Sequence, residues 1–136
     1  MPREKSTIIH LKPVHKDERG EIFDLFDTGE ASPERIEHIG FITIKKGAAR
    51  GSHYHKKSTQ YTYIIHGQVE WLTQDLRKKD APVESRILGP HDLAIDPPGV
   101  AHKMIAVEDA EFLDMTDVSR AEGGYEKDTI RVELKK

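Results

Sequence analysis

RGSHYHKKSTQ, residues 50–60, decides the reading of this chain. It places His53 and His55 two apart, with Lys56 and Lys57 directly behind them. A stretch this polar suits a loop, yet YTYIIHG at 61–67 alternates as a strand does. Successive side chains of a strand point to opposite faces, so His53 and His55 share a face if extended. Gln60, Thr62 and Ile64 share one parity in the next segment. Further along, DLAIDPPGVAH brings Pro97, Gly99 and His102 in the spacing P-x-G-x-x-H. Proline and glycine there hold a tight turn and present His102 at the start of a strand. In a barrel these residues converge on the interior. Three imidazoles and an amide oxygen (His53, His55, Gln60 and His102) then make a first shell suited to zinc, iron, nickel, manganese or copper.

The rest of the chain reads as short strands between breakers. IEHIGFITI (36–44), YTYIIHGQVEWLTQD (61–75), SRILG (85–89), DLAIDPP (92–98), HKMIAVE (102–108) and AEFLDMTD (110–117) alternate. KKGAARGS, RKKDAP, GPH, PPG and EDA separate them. This spacing predicts an all-β sandwich or barrel in one domain, residues 1–136. Its core spans about 36–117, with N-terminal strands before it and a charged C-terminal arm after it. GEIFDLF (20–26) reads as a further strand entered through the turn DERG. TGEASPER (28–35) suits one helical turn, with Ser32 as cap and Pro33 at its first position. TIRVEL closes the chain as a short strand or as an arm reaching a partner subunit.

Composition narrows the function classes. The 136 residues carry a formal net charge of −3, 33% charged residues and no cysteine. No thiolate metal site or disulfide is available. The charge signs are interspersed, which argues against nucleic-acid binding. No apolar run reaches the roughly 20 residues of a membrane span, and the start lacks a signal-peptide core. The expectation is a cytoplasmic protein with a small-molecule substrate, forming a homodimer. Tyr61, Tyr63 and Trp71 share the parity opposite to Gln60 and are expected on the outer face or at a dimer interface. His66 and His91 read as turn or surface histidines, and His10, His15 and His38 carry no pattern.

The motifs carry a resemblance. Five residues lie between Gly47 and His53, one between His53 and His55, four between His55 and Gln60, and six between Gln60 and Gly67. With the later P-x-G-x-x-H, this order resembles the two sequence motifs of the cupin superfamily. It implies a double-stranded β-helix, a jelly-roll barrel of RmlC-like type, with its site inside. The usual first-motif glutamate is Gln60 here, the glycine that opens the second motif is His91, and its closing asparagine is Ala106. Arg50 to Gln60, R-G-x-H-x-H-K-K-x-x-Q, resembles the signature of the sugar 3,4-ketoisomerases, which act on dTDP-4-keto-6-deoxyhexoses. DERG at 17–20 occurs there too, and in the related dTDP-4-dehydrorhamnose 3,5-epimerases. The epimerase pattern has glutamine at His55 and lysine at Thr62.

The resemblance implies His53 and His55 as an acid–base pair that needs no metal or other cofactor. It also implies Arg50 on the nucleotide diphosphate or the sugar, with Gln60 and Lys56 as further substrate contacts. An imidazole near pKa 6.5 suits proton transfer beside a ketone. Tyr125, in the GGYE tail, resembles an acid tyrosine of the epimerases too weakly to be assigned. Two function classes follow: an isomerase or epimerase of a nucleotide-linked 4-keto sugar, and a transition-metal cupin (an oxygen-using enzyme or a binding module). A cupin with no reaction is the third reading.

Overall fold

The structure, a computed structural model, describes residues 5–26 and 33–135. Twelve strands are assigned among them. They are β1 (Thr7–His10), β2 (His15–Asp17), β3 (Gly20–Ile22), β4 (His38–Ile44), β5 (Ala49–His55) and β6 (Gln60–His66). There follow β7 (Val69–Asp75), β8 (Glu84–Leu88), β9 (Asp92–Asp96), β10 (Val100–Ala106), β11 (Ala110–Thr116) and β12 (Thr129–Arg131). One sheet has the order β1-β9-β6-β11-β4, the facing sheet β12-β5-β10-β7-β8, and β2 and β3 form a separate hairpin. Every pairing is antiparallel. Sequence neighbours such as β5 and β6 lie in opposite sheets, as the jelly roll requires. The expected fold class is therefore the observed one.

Inward residues of both sheets close one apolar core. Ile44, Ile64, Val69, Leu88, Ala94, Met104 and Phe112 are buried together. A second cluster forms on the outer face of the first sheet, where Tyr61, Tyr63, Leu93, Ile95 and Met115 are buried with Leu11. Phe23, Leu25, Phe26 and Ile36 pack over it. Tyr61 and Tyr63 thus face outward as expected, under the chain's own N-terminal segment.

Several expectations change. The 61–75 run is two strands, β6 and β7, separated at Gly67 and Gln68. Gly67 has φ 85°, and a Cβ there would lie 2.3 Å from the Asp109 carbonyl oxygen, so this turn requires glycine. The turn resets the parity. Odd residues face outward on β6 but inward on β7, so Trp71 lies in the inner core with Val69 and not on the outer face. Of GEIFDLF only Gly20–Ile22 is strand, because Phe23 and Phe26 turn onto the sheet face instead of pairing. DERG makes the β2–β3 turn, with the Arg19 amide and guanidinium donating to the Asp17 carboxylate. The helical turn expected at 28–35 lies partly outside the described residues, Ser32 included, and residues 33–35 are not helical. The C-terminal arm returns to its own barrel: β12 pairs with β5, and Leu134 is buried against Leu72 and Ala101.

Candidate active site

β5 delivers His53 and His55 to the interior with their side chains on one face. Gly51 makes this possible. It has φ 89°, and a Cβ there would sit 2.9 Å from the His102 carbonyl oxygen. The β5–β10 register also shifts beside it, between His102 and Lys103. His102 stands directly opposite His53 in that pairing. The PPG turn is fastened by the Gly99 amide donating to the His55 carbonyl at 2.9 Å. His91 has φ 74°, the left-handed conformation in which the cupin motif places glycine. Its ring stacks on Phe23 at 3.8 Å and its Nδ1 meets the Tyr63 hydroxyl at 2.7 Å.

The three histidine rings form a triangle with centroid separations of 4.9 Å (53–55), 4.8 Å (53–102) and 5.5 Å (55–102). Trp71 stacks on His102 at 5.6 Å with ring planes 7° apart. The roles of the three differ. His55 Nε2 donates to Gln60 Oε1 at 2.8 Å, and the Thr129 hydroxyl donates to its Nδ1 at 3.3 Å. Gln60 is oriented by donating its own amide to Thr62 Oγ1 at 3.0 Å. His102 makes no well-aligned ring hydrogen bond among the described residues, and neither does the indole nitrogen of Trp71. His53 faces an open pocket of about 180 Å³.

That pocket has an apolar wall and a polar one. Ile42, Met104, Phe112 and Trp71 form the first. Arg50, Gln60, His102, Asp114, Arg120 and Tyr125 line the second with His53. His55 sits behind this surface and is buried, as are Gln60 and His102. The ammonium-bearing residues Lys56 and Lys57 are exposed and do not line the pocket. Their backbone is what the structure uses. Asp128 accepts hydrogen bonds from the Lys57 amide at 2.6 Å and from the Ser58 hydroxyl, and Asp117 accepts one from the Thr59 amide at 2.9 Å. Asp117, just after β11, and Asp128 of the C-terminal arm thus clamp the loop between His55 and Gln60.

The arm also completes the pocket. Arg120 donates to both oxygens of Asp114, at 2.9 and 3.4 Å, and its guanidinium lies 4.8 Å from the Tyr125 ring centroid. The Tyr125 ring is 6.1 Å from that of His53. Asp114, Arg120 and Asp128 went unassigned in the sequence. Asp114 had a signal, since a carboxylate shares the inward parity of Phe112 on β11. Arg120 and Asp128 had none, because they follow the last alternating run, Arg120 in irregular chain and Asp128 at the end of a five-residue helix, Gly124–Asp128.

Burial sets the charge state. It lowers His53 to about 4, with His55, Arg120 and Arg131 adding to the effect. Burial also lowers His55, against the raising influence of Gln60 and Asp128. His102 lies well below the ordinary histidine value, first from burial and then from its two neighbours. All three are therefore neutral bases at physiological pH.

The sequence matches the family model for the polysaccharide biosynthesis C-terminal domain over residues 15–130, and the chain belongs to that family. No curated protein matches the sequence. Solved structures share the RmlC-like fold. A 3,4-ketoisomerase from Helicobacter canadensis superposes with a TM-score of 0.75 at 24% identity, over 93% of this chain and 90% of that one. QdtA, a sugar 3,4-ketoisomerase from Thermoanaerobacterium thermosaccharolyticum in complex with TDP, gives 0.75 at 21% identity, over 94% and 88%. NovW, a 4-keto-6-deoxy sugar epimerase from Streptomyces spheroides, gives 0.77 at 17% identity, over 96% and 70%.

Proposed function

We propose that this polysaccharide biosynthesis C-terminal domain is an isomerase or epimerase of a nucleotide-linked 4-keto sugar, with His53 moving the carbon-bound proton. One observation carries the reading. Two of the three buried neutral imidazoles, His53 and His102, line a pocket that also presents two guanidinium groups and a phenol, and the phenol ring of Tyr125 lies 6.1 Å from that of His53. The names of the similar solved structures support the substrate class.

The chemistry follows from the groups present. The lone pair of neutral His53 takes the proton from the carbon beside the ketone. The C–H electrons form a C=C bond, and the carbonyl π electrons move to oxygen. Arg120 and Arg50 offer donors for that oxyanion or for the diphosphate. If the protonated His53 returns the proton to the former carbonyl carbon, and the neighbouring hydroxyl proton passes to the old ketone oxygen, the carbonyl has migrated. If Tyr125 returns a proton to the original carbon from the other side, that carbon is epimerised. Neither outcome changes the oxidation state of the whole sugar, so the proposed reaction draws on no redox cofactor. His55, fastened by Gln60 and Thr129, stands with its ring 4.9 Å from that of His53 and disfavours the protonated form of its neighbour. Arg50 lines the pocket, and exposed Lys56 is the weaker candidate for a substrate contact.

The test is solvent exchange. Incubated with dTDP- and UDP-linked 4-keto sugars in deuterated water, the protein should incorporate deuterium beside the carbonyl, and His53→Ala should slow this roughly 10²–10⁴-fold. Exchange at the wild-type rate in His53→Ala overturns the assignment of the base, and no exchange on any 4-keto sugar overturns the substrate class.

One observation favours a second reading, a divalent transition metal. Nitrogens of His53, His55 and His102 lie within 4.8 Å of one another, and His102 lacks a firm partner. Two bonds of about 2.1 Å separate ligand atoms by at most roughly 4.2 Å. The rings therefore need a small inward rotation to share one ion. Gln60 Oε1, 2.8 Å from His55 Nε2, already has the spacing of a neighbouring ligand. Such an ion supplies a Lewis acid for a carbonyl oxygen. Elemental analysis of tag-free protein decides: near one metal per chain, lost in both His53→Ala and His102→Ala, establishes this reading, and metal far below stoichiometry removes it.

A further inference from the structure

His38 carries no sequence pattern, yet the fold gives it neighbours in the pocket wall. It stands on β4 opposite Thr116, and Gly40, two residues on, stands opposite Asp114 of β11. Gly40 is not among the glycines of positive φ, so its backbone does not call for glycine. The space beside it does: a Cβ there would lie 3.2 Å from His38 Nε2. The missing side chain lets the His38 ring lie back along the strand and reach the Arg120 guanidinium. Arg120 Nη1 donates to His38 Nε2 at 3.4 Å and to Asp114 Oδ2 at 2.9 Å, and Nη2 donates to Asp114 Oδ1 at 3.4 Å. The Tyr125 ring covers one face of the same group at 4.8 Å. Burial, then Arg120, holds His38 below the ordinary histidine value against the pull of Asp114, so the neutral ring can accept this bond.

A guanidinium carries five N–H donors in one rigid plane. Both on Nη1 and one on Nη2 are taken by His38 and Asp114. The N–H of Nε and the second N–H of Nη2 have no partner among the described residues. These two project in parallel from one edge, the fork that meets a pair of neighbouring oxygens. Arg50 offers no such fork, since it is exposed and its Nε is already given to the Thr43 carbonyl at 3.1 Å.

We propose that His38 is a positioning residue: with Asp114 it sets Arg120 so that its Nε–Nη2 edge meets the two neighbouring oxygens of the enediolate formed when His53 takes its proton. This rests on the function proposed above. Loss of that proton leaves the former carbonyl oxygen charged and the hydroxyl oxygen beside it, one on each end of the new C=C bond. Ring closure keeps the two oxygens on the same side, as a fork requires. Donors fixed in advance need no reorganisation as the charge develops. The two guanidinium groups then divide the ligand, Arg120 at the reacting oxygens and Arg50 at the diphosphate.

Two measurements on the full chain test this, and the first needs no substrate. In protein labelled with ¹⁵N-arginine, the Nη signals of Arg120, identified by their loss in Arg120→Lys, should be separate because rotation is held. In His38→Phe they should merge. The second is the split between kcat and KM for deuterium exchange into a 4-keto sugar nucleotide. His38→Phe should lower kcat roughly 10–10²-fold, the scale of a small misplacement, with KM unchanged. His38→Gln, which supplies an acceptor again, should recover most of it. Arg120→Lys keeps the charge and loses the fork, and should lower kcat roughly 10²–10³-fold. Arg50→Met should instead raise KM. Merged signals in the wild type, or separate ones that persist in His38→Phe, overturn the positioning role. So does a His38→Gln variant as slow as His38→Phe, which would mean that the ring only packs. A raised KM at constant kcat in His38→Phe moves Arg120 to ground-state binding and overturns the enediolate role. A wild type that exchanges no 4-keto sugar removes the proposed function and the enediolate with it, whatever the signals show. If His38→Phe does not fold, Gly40→Ala decides: Gly40 is not in the pocket lining, and its added methyl should displace the His38 ring and slow exchange.

Discussion

The strands that line the barrel change character along a single inward face. On β6 the inward residues run Gln60, Thr62, Ile64, and on β10 they run His102, Met104, Ala106. On β11 they run Thr116, Asp114, Phe112, Ala110, and on β4 His38, Gly40, Ile42, Ile44. One end of the barrel is therefore polar and meets the pocket, and the other is closed by apolar packing. The same strands serve both ends, so the difference lies only in which side chains stand at each level. The closed end gains stability from burial. The open end holds three buried imidazoles and a partly buried carboxylate–guanidinium pair, groups costly to take out of water. A fold carries such an end only if the other supports it.

Substitutions at the two ends should separate function from stability. The largest effect expected is His53→Ala on the proton-exchange rate, a loss of roughly 10²–10⁴-fold, the range for removing an acid–base group. Its thermal midpoint should stay within a few degrees of wild type, because the residue borders open space. A large drop in the midpoint would mean that the open end also holds the fold together. Ile64→Ala is the converse. Ile64 is 0% exposed at the closed end, and its truncation should cost about 2–5 kcal/mol in urea unfolding. Exchange per folded molecule should change little.

Acid distinguishes the ends next. The folded value of His53 lies at about 4, below the ordinary 6.5. Between these values the unfolded chain binds more protons than the folded one, so stability falls as pH falls from 6.5 towards 4. For His53 alone this amounts to about 3 kcal/mol, and His55 and His102 act in the same direction. His53→Asn should flatten the stability profile between pH 6.5 and 4 and leave the profile above pH 7 unchanged. A variant as acid-sensitive as wild type would show that the other two histidines carry the whole effect.

The sequence reached the open end unevenly. His53, His55, Gln60 and His102 were legible because they stand on strands, where parity and two glycine-bearing turns fix direction. The jelly roll was legible for the same reason. Trp71 was misread because parity was carried through Gly67, where the chain reverses. Arg120 reaches the site on irregular chain, and Tyr125 and Asp128 on a helix of five residues, Gly124–Asp128, entered where Glu122 and Gly123 take positive φ and too short to show a period. The lysines behind His55 suggested anion binding from their side chains, whereas the structure uses their backbone amides.

Asp96 gives the smallest and most local test of the contrast. By register it stands opposite Gln60, at the polar end. It is 1% exposed, accepts one bond from the Ser6 hydroxyl at 2.7 Å, and its Oδ2 has no hydrogen-bond partner among the described residues. Burial raises it to about 7, against the lowering effect of Ser6. The sign is opposite to that of the histidines. With the folded value above the ordinary 3.8, the protonated carboxyl's contribution is fully present below 3.8 and lost as pH rises through about 7. Asp96→Asn keeps the shape and removes the ionisation, so it should raise the thermal midpoint more at pH 8 than at pH 5. Equal shifts at both pH values would mean that Asp96 ionises freely in the fold. Its neighbourhood would then belong with the hydrated open end and not with the packed one.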